Sequence, residues 1–259
     1  MTLNPTATAA EVVSALCAAH RTHQPADSRG LAEALATPDD AYAVQLAVGR
    51  QLGWWADRPA QAWKSGGGTL DTVTHAPLSP AGVRPSPADL RDLPLRRRGI
   101  EAEIALRLGV AVDAARAASL DETAAAALIE ALAVSVEVVD SRWAEGPAAA
   151  PLLRLADGQS HGALVLGAWH PFAPERDWSA QRCVARVGAA APVECRGSHP
   201  LGRPTAVLPA WLRHATRDGA VLPAGTVVTT GTWVGLLDAQ AGDTVTVAFD
   251  GLGEVSLRF

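Results

Sequence analysis

Two glutamates, Glu101 and Glu103, stand two positions apart in the stretch Gly99-Ile100-Glu101-Ala102-Glu103-Ile104-Ala105-Leu106-Arg107-Leu108. Read with the two-residue period of a β-strand, Glu101, Glu103, Ala105 and Arg107 share one face, and Ala102, Ile104, Leu106 and Leu108 share the other. Residues two apart on a strand point the same way with side chains about 7 Å apart, so these carboxylates cannot turn from each other. Like charges held so close repel unless something positive lies between them, and a divalent cation is the usual answer. The decapeptide equally fits a half-buried strand with a solvated acidic edge, so the rest of the chain has to decide.

A third carboxylate tips the balance. In Val134-Ser135-Val136-Glu137-Val138-Val139-Asp140-Ser141-Arg142 the valines at 134, 136 and 138 line one face and leave Glu137 on the other with Ser135. Three acidic oxygen donors from two strands suit a hard cation such as Mg²⁺ or Mn²⁺, with the remaining positions left to water or substrate. Arg142 has two readings: a surface partner of Asp140 or Glu145, or a group that pairs with a metal-binding carboxylate and orients it. His20 and His23, with no carboxylate near them in sequence, read as surface histidines.

A lysine completes the set of reactive groups. Trp63-Lys64-Ser65-Gly66-Gly67-Gly68-Thr69 places it between an aromatic ring and three glycines. Glycines let backbone approach a ligand closely, and a tryptophan can keep water from the ammonium and lower its basicity. The order of residues is not that of a phosphate-binding P-loop, in which the lysine follows the glycines. A solvated loop lysine is the alternative.

These residues need elements to hold them. Thr8-Ala9-Ala10-Glu11 has the form of a capping box and opens a helix to about His20, and Thr37-Pro38-Asp39-Asp40 opens a second to about Leu52. The proline-rich run from His75 to Pro87 predicts an extended or turned loop that folds over a site. Ser119-Leu120-Asp121-Glu122 predicts a helix through the following alanines to about Leu132. The second half reads as β: His161 to Gly167, Arg182 to Val187, Thr226 to Thr229, and a hairpin of Thr244 to Phe249 with Glu254 to Phe259 across Asp250-Gly251. One helix lies between Thr205 and Arg217, with Pro209 as a possible true start.

Composition sets limits. A chain of 259 residues with 48% hydrophobic and 19% charged residues can bury a full core. A net charge of −5 with no large Lys/Arg cluster argues against a nucleic-acid partner. The run Arg96-Arg97-Arg98 reads as a solvated loop. Cys17, Cys183 and Cys195 are odd in number, lack zinc-site spacing and fit reduced thiols. No stretch has the apolar length of a membrane span, and the N-terminus lacks signal-peptide character; cytoplasmic location is the expectation.

Glu101-Ala102-Glu103-Ile104-Ala105-Leu106, Glu137-Val138-Val139-Asp140-Ser141-Arg142, Ala156-Asp157-Gly158-Gln159-Ser160, and Thr230-Gly231-Thr232 before a terminal hairpin together resemble the fumarylacetoacetate hydrolase superfamily. Within it they are most similar to the 2-hydroxypentadienoate hydratase and 4-oxalocrotonate decarboxylase branch, as is Ala41-Tyr42-Ala43-Val44-Gln45 on the second helix. The chain departs from that pattern in an extra glycine after Lys64, in Gly158 where the family's Asp-Asn-Ala-Ser loop has asparagine, and in the absence of an aspartate from Pro77 to Gly82.

The resemblance implies an α+β fold: a rolled mixed β-sheet in residues 61–259, the metal-binding catalytic domain, with a small helical N-terminal portion in residues 1–60. It implies one Mg²⁺ or Mn²⁺ held by Glu101, Glu103 and Glu137, Lys64 as the catalytic proton carrier, and Asp157, Ser160 and Thr230 as substrate-binding residues. It implies a hydratase of a 2-hydroxydienoate or 2-oxo-alkenoate in aromatic-compound degradation, with a decarboxylase or C–C hydrolase of the same superfamily and a non-catalytic partner subunit as alternatives. No His-Glu pair stands out near the ligands as the base a hydrolase needs. A homo-oligomer, or a complex with a decarboxylase or hydratase partner, is expected of such a chain.

Overall fold

The computed structural model describes residues 7–55 and 59–259. Two helices come first, α1 (Ala9–Thr22) and α2 (Pro38–Gln51). Both start where the capping residues place them: the Glu11 carboxylate accepts from the Thr8 backbone N–H at 2.6 Å, and Asp40 accepts from that of Thr37 at 2.8 Å. Their apolar faces, with Val12, Leu16, Ala41, Val44 and Val48, close over Trp143 and Leu153 to form a core separate from the main one. The helical portion thus shares its core with residues far along the chain.

The following strands are β1 (Ala62–Gly66), β2 (Thr74–Pro77), β3 (Val83–Pro85), β4 (Ala88–Asp89) and β5 (Gly99–Leu108). Two short helices, α3 (Ala114–Ala118) and α4 (Glu122–Ala126), lead to β6 (Ile129–Val139), then α5 (Pro151–Ala156) and β7 (His161–Pro171). Strands β8 (Arg182–Val187) and β9 (Val193–Arg196), helix α6 (Leu208–Ala215), and strands β10 (Val227–Thr229), β11 (Leu237–Asp238), β12 (Thr244–Phe249) and β13 (Gly253–Arg258) complete the α+β fold. Helix α6 follows a 3-10 turn at Pro204–Val207 that absorbs the start of the expected helix, and Pro209 falls in its first turn.

One mixed sheet runs β2-β1-β10-β5-β6-β7-β3, with β11 also pairing β5; the other runs β4-β13-β12-β8-β9. The order of the first forces it to curl. Strands β2 and β3 occupy its opposite ends, yet only the five residues between Pro77 and Val83 separate them. A flat sheet of that order would hold its edges about 29 Å apart, at about 4.8 Å per strand. Six residue steps span at most about 21 Å. The sheet rolls into a half-barrel, and the second sheet packs on its outer side through β12 and β13.

Two sequence expectations give way here. The run His75 to Pro87 is no lid: it supplies β2 and β3 at the two sheet edges, with His75, Ala76, Pro77 and Leu78 buried. The helix expected through Leu132 stops at Ala126, and Ile129 already belongs to β6. Strand β6 is paired on both sides, by β5 and β7, and burying Leu132, Val134, Val136 and Val138 in the main core outweighs the helix preference of the preceding alanines.

Candidate metal site

The alternation read from the sequence holds in β5, where Ile100, Ala102, Ile104, Leu106 and Leu108 are wholly buried in the main core and Glu101 and Glu103 occupy the concave face. Glu137 on β6 stands directly across from Glu101, and Ser135 across from Glu103. One ligand oxygen from each of Glu101, Glu103 and Glu137 lies within 4.8 Å of the other two. Oxygens that share one ion at about 2.0 to 2.6 Å are at most about 5 Å apart, so the set fits around a single divalent cation.

Three pairings hold the cluster. Lys64 reaches in from β1 and donates to Glu137 Oε1 at 2.6 Å and to the Gln159 carbonyl at 3.3 Å. Thr229, opposite Lys64 on β10, donates its hydroxyl to Glu103 Oε2 and receives one from Ser135 at 2.9 Å. His161, at the start of β7, donates from Nδ1 to Glu137 Oε1 at 3.0 Å. Glu137 Oε2 is buried without a partner. An orphan carboxylate oxygen beside two further carboxylates is a donor set in want of a cation.

The protonation balance agrees. Burial, then Glu137, pushes the Glu101 carboxyl up to about 7. Burial, Glu137 and Glu101 push Glu103 up to about 8. Glu137 goes the other way: burial opposes its charge, but Lys64 and His161 outweigh it and hold the carboxyl below the usual range. Burial also works against the Lys64 ammonium, yet Glu137 and Glu101 prevail and raise its pKa. The expectation that Trp63 would lower that basicity fails because Trp63 alternates to the opposite face, buried in the core with its indole N–H on the Ala60 carbonyl at 3.2 Å.

Other candidate residues lie elsewhere. Asp157 is buried and its carboxylate is taken by Arg142 Nε, the Arg142 backbone N–H at 3.0 Å and the Ser141 hydroxyl at 3.2 Å. Arg142 therefore neither pairs at the surface nor with a clustered glutamate; it also donates to the carbonyls of Asp157 and His161, fastening the start of β7. The Thr230 hydroxyl donates to the Ile104 carbonyl at 2.7 Å, and its neighbours Thr229, Gly231 and Thr232 line the cleft in its place. Ser160 is half-buried at φ 60, its carbonyl on the Asp140 N–H at 2.7 Å. Gly158, Gln159 and Ser160 all have positive φ, and this turn aims the Gln159 carbonyl at Lys64. Of the two histidines read as surface residues, His23 is exposed, whereas His20 is half-buried and packs edge-on against Trp54 with ring centres 4.9 Å apart.

Sequence reasoning missed the His161–Glu137 pair because 24 residues separate the two and nothing in either segment marks the contact. The position of His161 directly after the Asp157–Ser160 loop was the only signal.

A curled mixed sheet with three carboxylates and a lysine on its concave face is the framework of a metal-dependent carboxylate site. The fumarylacetoacetate (FAA) hydrolase C-terminal family matches residues 79–259, and the chain belongs to that family. It is 26% identical over 244 residues to a 4-oxalocrotonate decarboxylase of Pseudomonas sp, covering 94% of this chain and 83% of the relative. The fold superposes with a TM-score of 0.82 on the 4-oxalocrotonate decarboxylase of Pseudomonas putida G7 complexed with magnesium and adipate, at 24% identity over 99% of this chain and 100% of that one. It superposes with a TM-score of 0.54 on the fumarylpyruvate hydrolase of Pseudomonas aeruginosa in complex with Mn²⁺ and pyruvate, at 15% identity over 78% of this chain and 89% of that one. Among the described residues no helix is long and apolar enough to cross a membrane.

Proposed function

We propose that this chain is a Mg²⁺- or Mn²⁺-dependent enzyme acting on a small 2-oxo acid, and that its reaction is the hydration of a 2-hydroxydienoate or 2-oxo-alkenoate. The observation that carries the reading is the convergence of Glu101, Glu103 and Glu137 with Lys64 bound to the third. Glu101, Glu103 and the free Oε2 of Glu137 are the groups to hold the ion. A bound divalent ion supplies Lewis-acid compensation for the negative charge that builds on a 2-oxo oxygen as the neighbouring carbon skeleton gains or loses a proton.

The chain's own residues supply the rest. Three carboxylates and one divalent ion leave a net −1, so an entering 2-oxo acid anion needs a nearby positive charge, and Lys64 provides it. With its ammonium held between Glu137 and the Gln159 carbonyl, Lys64 is placed to hand a proton to the carbon skeleton and take it back. Glycines 66 to 68 line the same cleft and allow the substrate close to backbone. Loss of CO₂ from a vinylogous acid uses the same charge compensation, and the likeness to 4-oxalocrotonate decarboxylases favours it as the second reading.

The test is turnover of a panel of 2-hydroxydienoates and 2-oxo-enedioates with MgCl₂, MnCl₂ or EDTA. Metal-dependent formation of a 4-hydroxy-2-oxo acid supports the proposal, and CO₂ release from the enedioates alone supports the second reading. Turnover untouched by EDTA after extensive dialysis refutes both.

A further inference from the structure

Two of the three cysteines meet across a strand pair. Cys183 on β8 and Cys195 on β9 are direct Cα partners in an antiparallel ladder. Directly opposite residues of such a pair project from the same face. Here that face is the inner one: Cys183 is wholly buried in the main core with Ala185 and Val187, and Cys195 is half-buried, while its neighbours Glu194 and Arg196 are exposed. Cys17 belongs to the separate core of the N-terminal helices.

The phase of the ladder sets the spacing. Gly197 donates its N–H to the Gln181 carbonyl at 2.9 Å. Residues 181 and 197, and two steps on Cys183 and Cys195, are therefore pairs that exchange backbone hydrogen bonds, with Cα atoms about 5.5 Å apart. A disulfide accepts that Cα separation but holds its Cβ atoms at about 3.5 to 4.5 Å, against about 5.5 Å across such a pair. Closing the bond draws the strands together by about 1 Å and leaves strain, and a strained disulfide is one that thiols reopen. Strand β9 is free to make the move, because it is the four-residue edge of its sheet and pairs only with β8.

The displacement leads to the cleft. Beyond β9, Gly197 is pressed against the Ser179 backbone with no room for a Cβ, and three residues later Pro200 lines the cleft. Between them the Ser198 hydroxyl donates to the Trp233 carbonyl at 2.6 Å. His199 accepts the Leu201 N–H at Nδ1, 3.2 Å away, and so donates from Nε2 to the Thr230 carbonyl at 2.7 Å. Thr230 and Trp233 bracket Gly231 and Thr232, both in the cleft wall.

We propose that Cys183 and Cys195 form a reversible disulfide when the protein meets a peroxide, and that closing it loosens the cleft wall at Gly231 and Thr232. Cys195, the more accessible thiol, takes the oxidant: its sulfur bonds one peroxide oxygen, the O–O bond breaks, and the other oxygen leaves as water, giving a sulfenic acid. Cys183 then attacks the Cys195 sulfur; the S–S bond forms, the S–O bond breaks, and the departing hydroxide leaves as water with the Cys183 proton. Two thiols and one peroxide become one disulfide and two waters. Burial pushes the Cys183 thiol up to about 12, which keeps it protonated and leaves the first step to Cys195.

Treatment of the reduced full chain with hydrogen peroxide, followed by alkylation and peptide mass spectrometry, should show a Cys183–Cys195 cross-link with Cys17 alkylated. Excess glutathione should reopen it. Hydrogen exchange read by mass spectrometry should show amides from Thr229 to Trp233 exchanging several-fold faster in the oxidised chain than in the reduced one. Cys195→Ser should show neither change on peroxide treatment and should match the reduced parent in exchange and in Mg²⁺ binding. A Cys195 sulfinic acid with Cys183 still alkylated, a bridge between two chains, or a cross-link that glutathione leaves intact overturns the reversible pair. A cross-link without faster exchange from Thr229 to Trp233, or faster exchange that persists in Cys195→Ser, overturns its reach to the cleft.

Discussion

Magnesium should stabilise the chain strongly near pH 8 and little near pH 5.5. The ligand oxygens of Glu101, Glu103 and Glu137 lie within 4.8 Å of one another, and at an effective dielectric of about 20 two full charges at that distance repel by about 3.5 kcal/mol. The fold answers by protonating Glu101, whose pKa rises to about 7, and Glu103, whose pKa rises to about 8. Both bind their protons more tightly folded than unfolded. The stability they contribute is therefore complete below the unfolded glutamate range near about 4.3, and is lost as pH rises through about 7 to 8. For Glu101 alone, a rise from 4.5 to about 7 corresponds to about 3 kcal/mol. A divalent ion replaces the missing protons at high pH but must displace them at low pH. At about 100 times its Kd it adds about 2.7 kcal/mol, which for 259 residues is a rise in Tm of about 5 °C or more. Scanning calorimetry with MgCl₂ or EDTA at the two pH values reads this directly. Equal shifts at both pH values, or a shift undiminished in Glu103→Gln, would refute the reasoning.

Lys64→Ala should lower kcat by about a hundredfold or more even at saturating Mg²⁺, because the proton carrier and the compensating charge are lost together; a kcat within a few-fold of the parent in steady-state assays would remove Lys64 from the chemistry. Arg142→Met leaves the Asp157 carboxylate buried without its main partner and should cost about 3 to 5 kcal/mol in denaturant unfolding, and a loss below about 1 kcal/mol would contradict the burial argument. Gly67→Ala places a Cβ 2.6 Å from the Thr72 carbonyl oxygen and 2.9 Å from the Val73 Cα, all backbone, so the cleft loop has to shift; KM should rise several-fold, and unaltered kinetics would show that the loop does not shape the site.

The metal cluster was legible in the sequence because strand periodicity is local. Alternation alone puts Glu101 with Glu103 on one face and Glu137 opposite a row of valines, and both faces form as read, although β6 begins at Ile129, inside the expected helix, and ends at Val139. Helix starts and the terminal hairpin were legible for the same reason, since capping boxes and Asp-Gly turns are decided within a few residues. What the tertiary structure decided is everything that depends on long-range pairing. The closure of the sheet turned the proline-rich run into two edge strands, and burial in the centre of the sheet ended a helix that the alanines alone would have prolonged. The same closure brought Lys64 onto Glu137 from 73 residues away, gave Asp157 to Arg142, and set His161 against Glu137. Local residue preferences carry less than a kcal/mol apiece, whereas an unpaired buried charge costs several, so partners for buried groups are chosen by the whole fold.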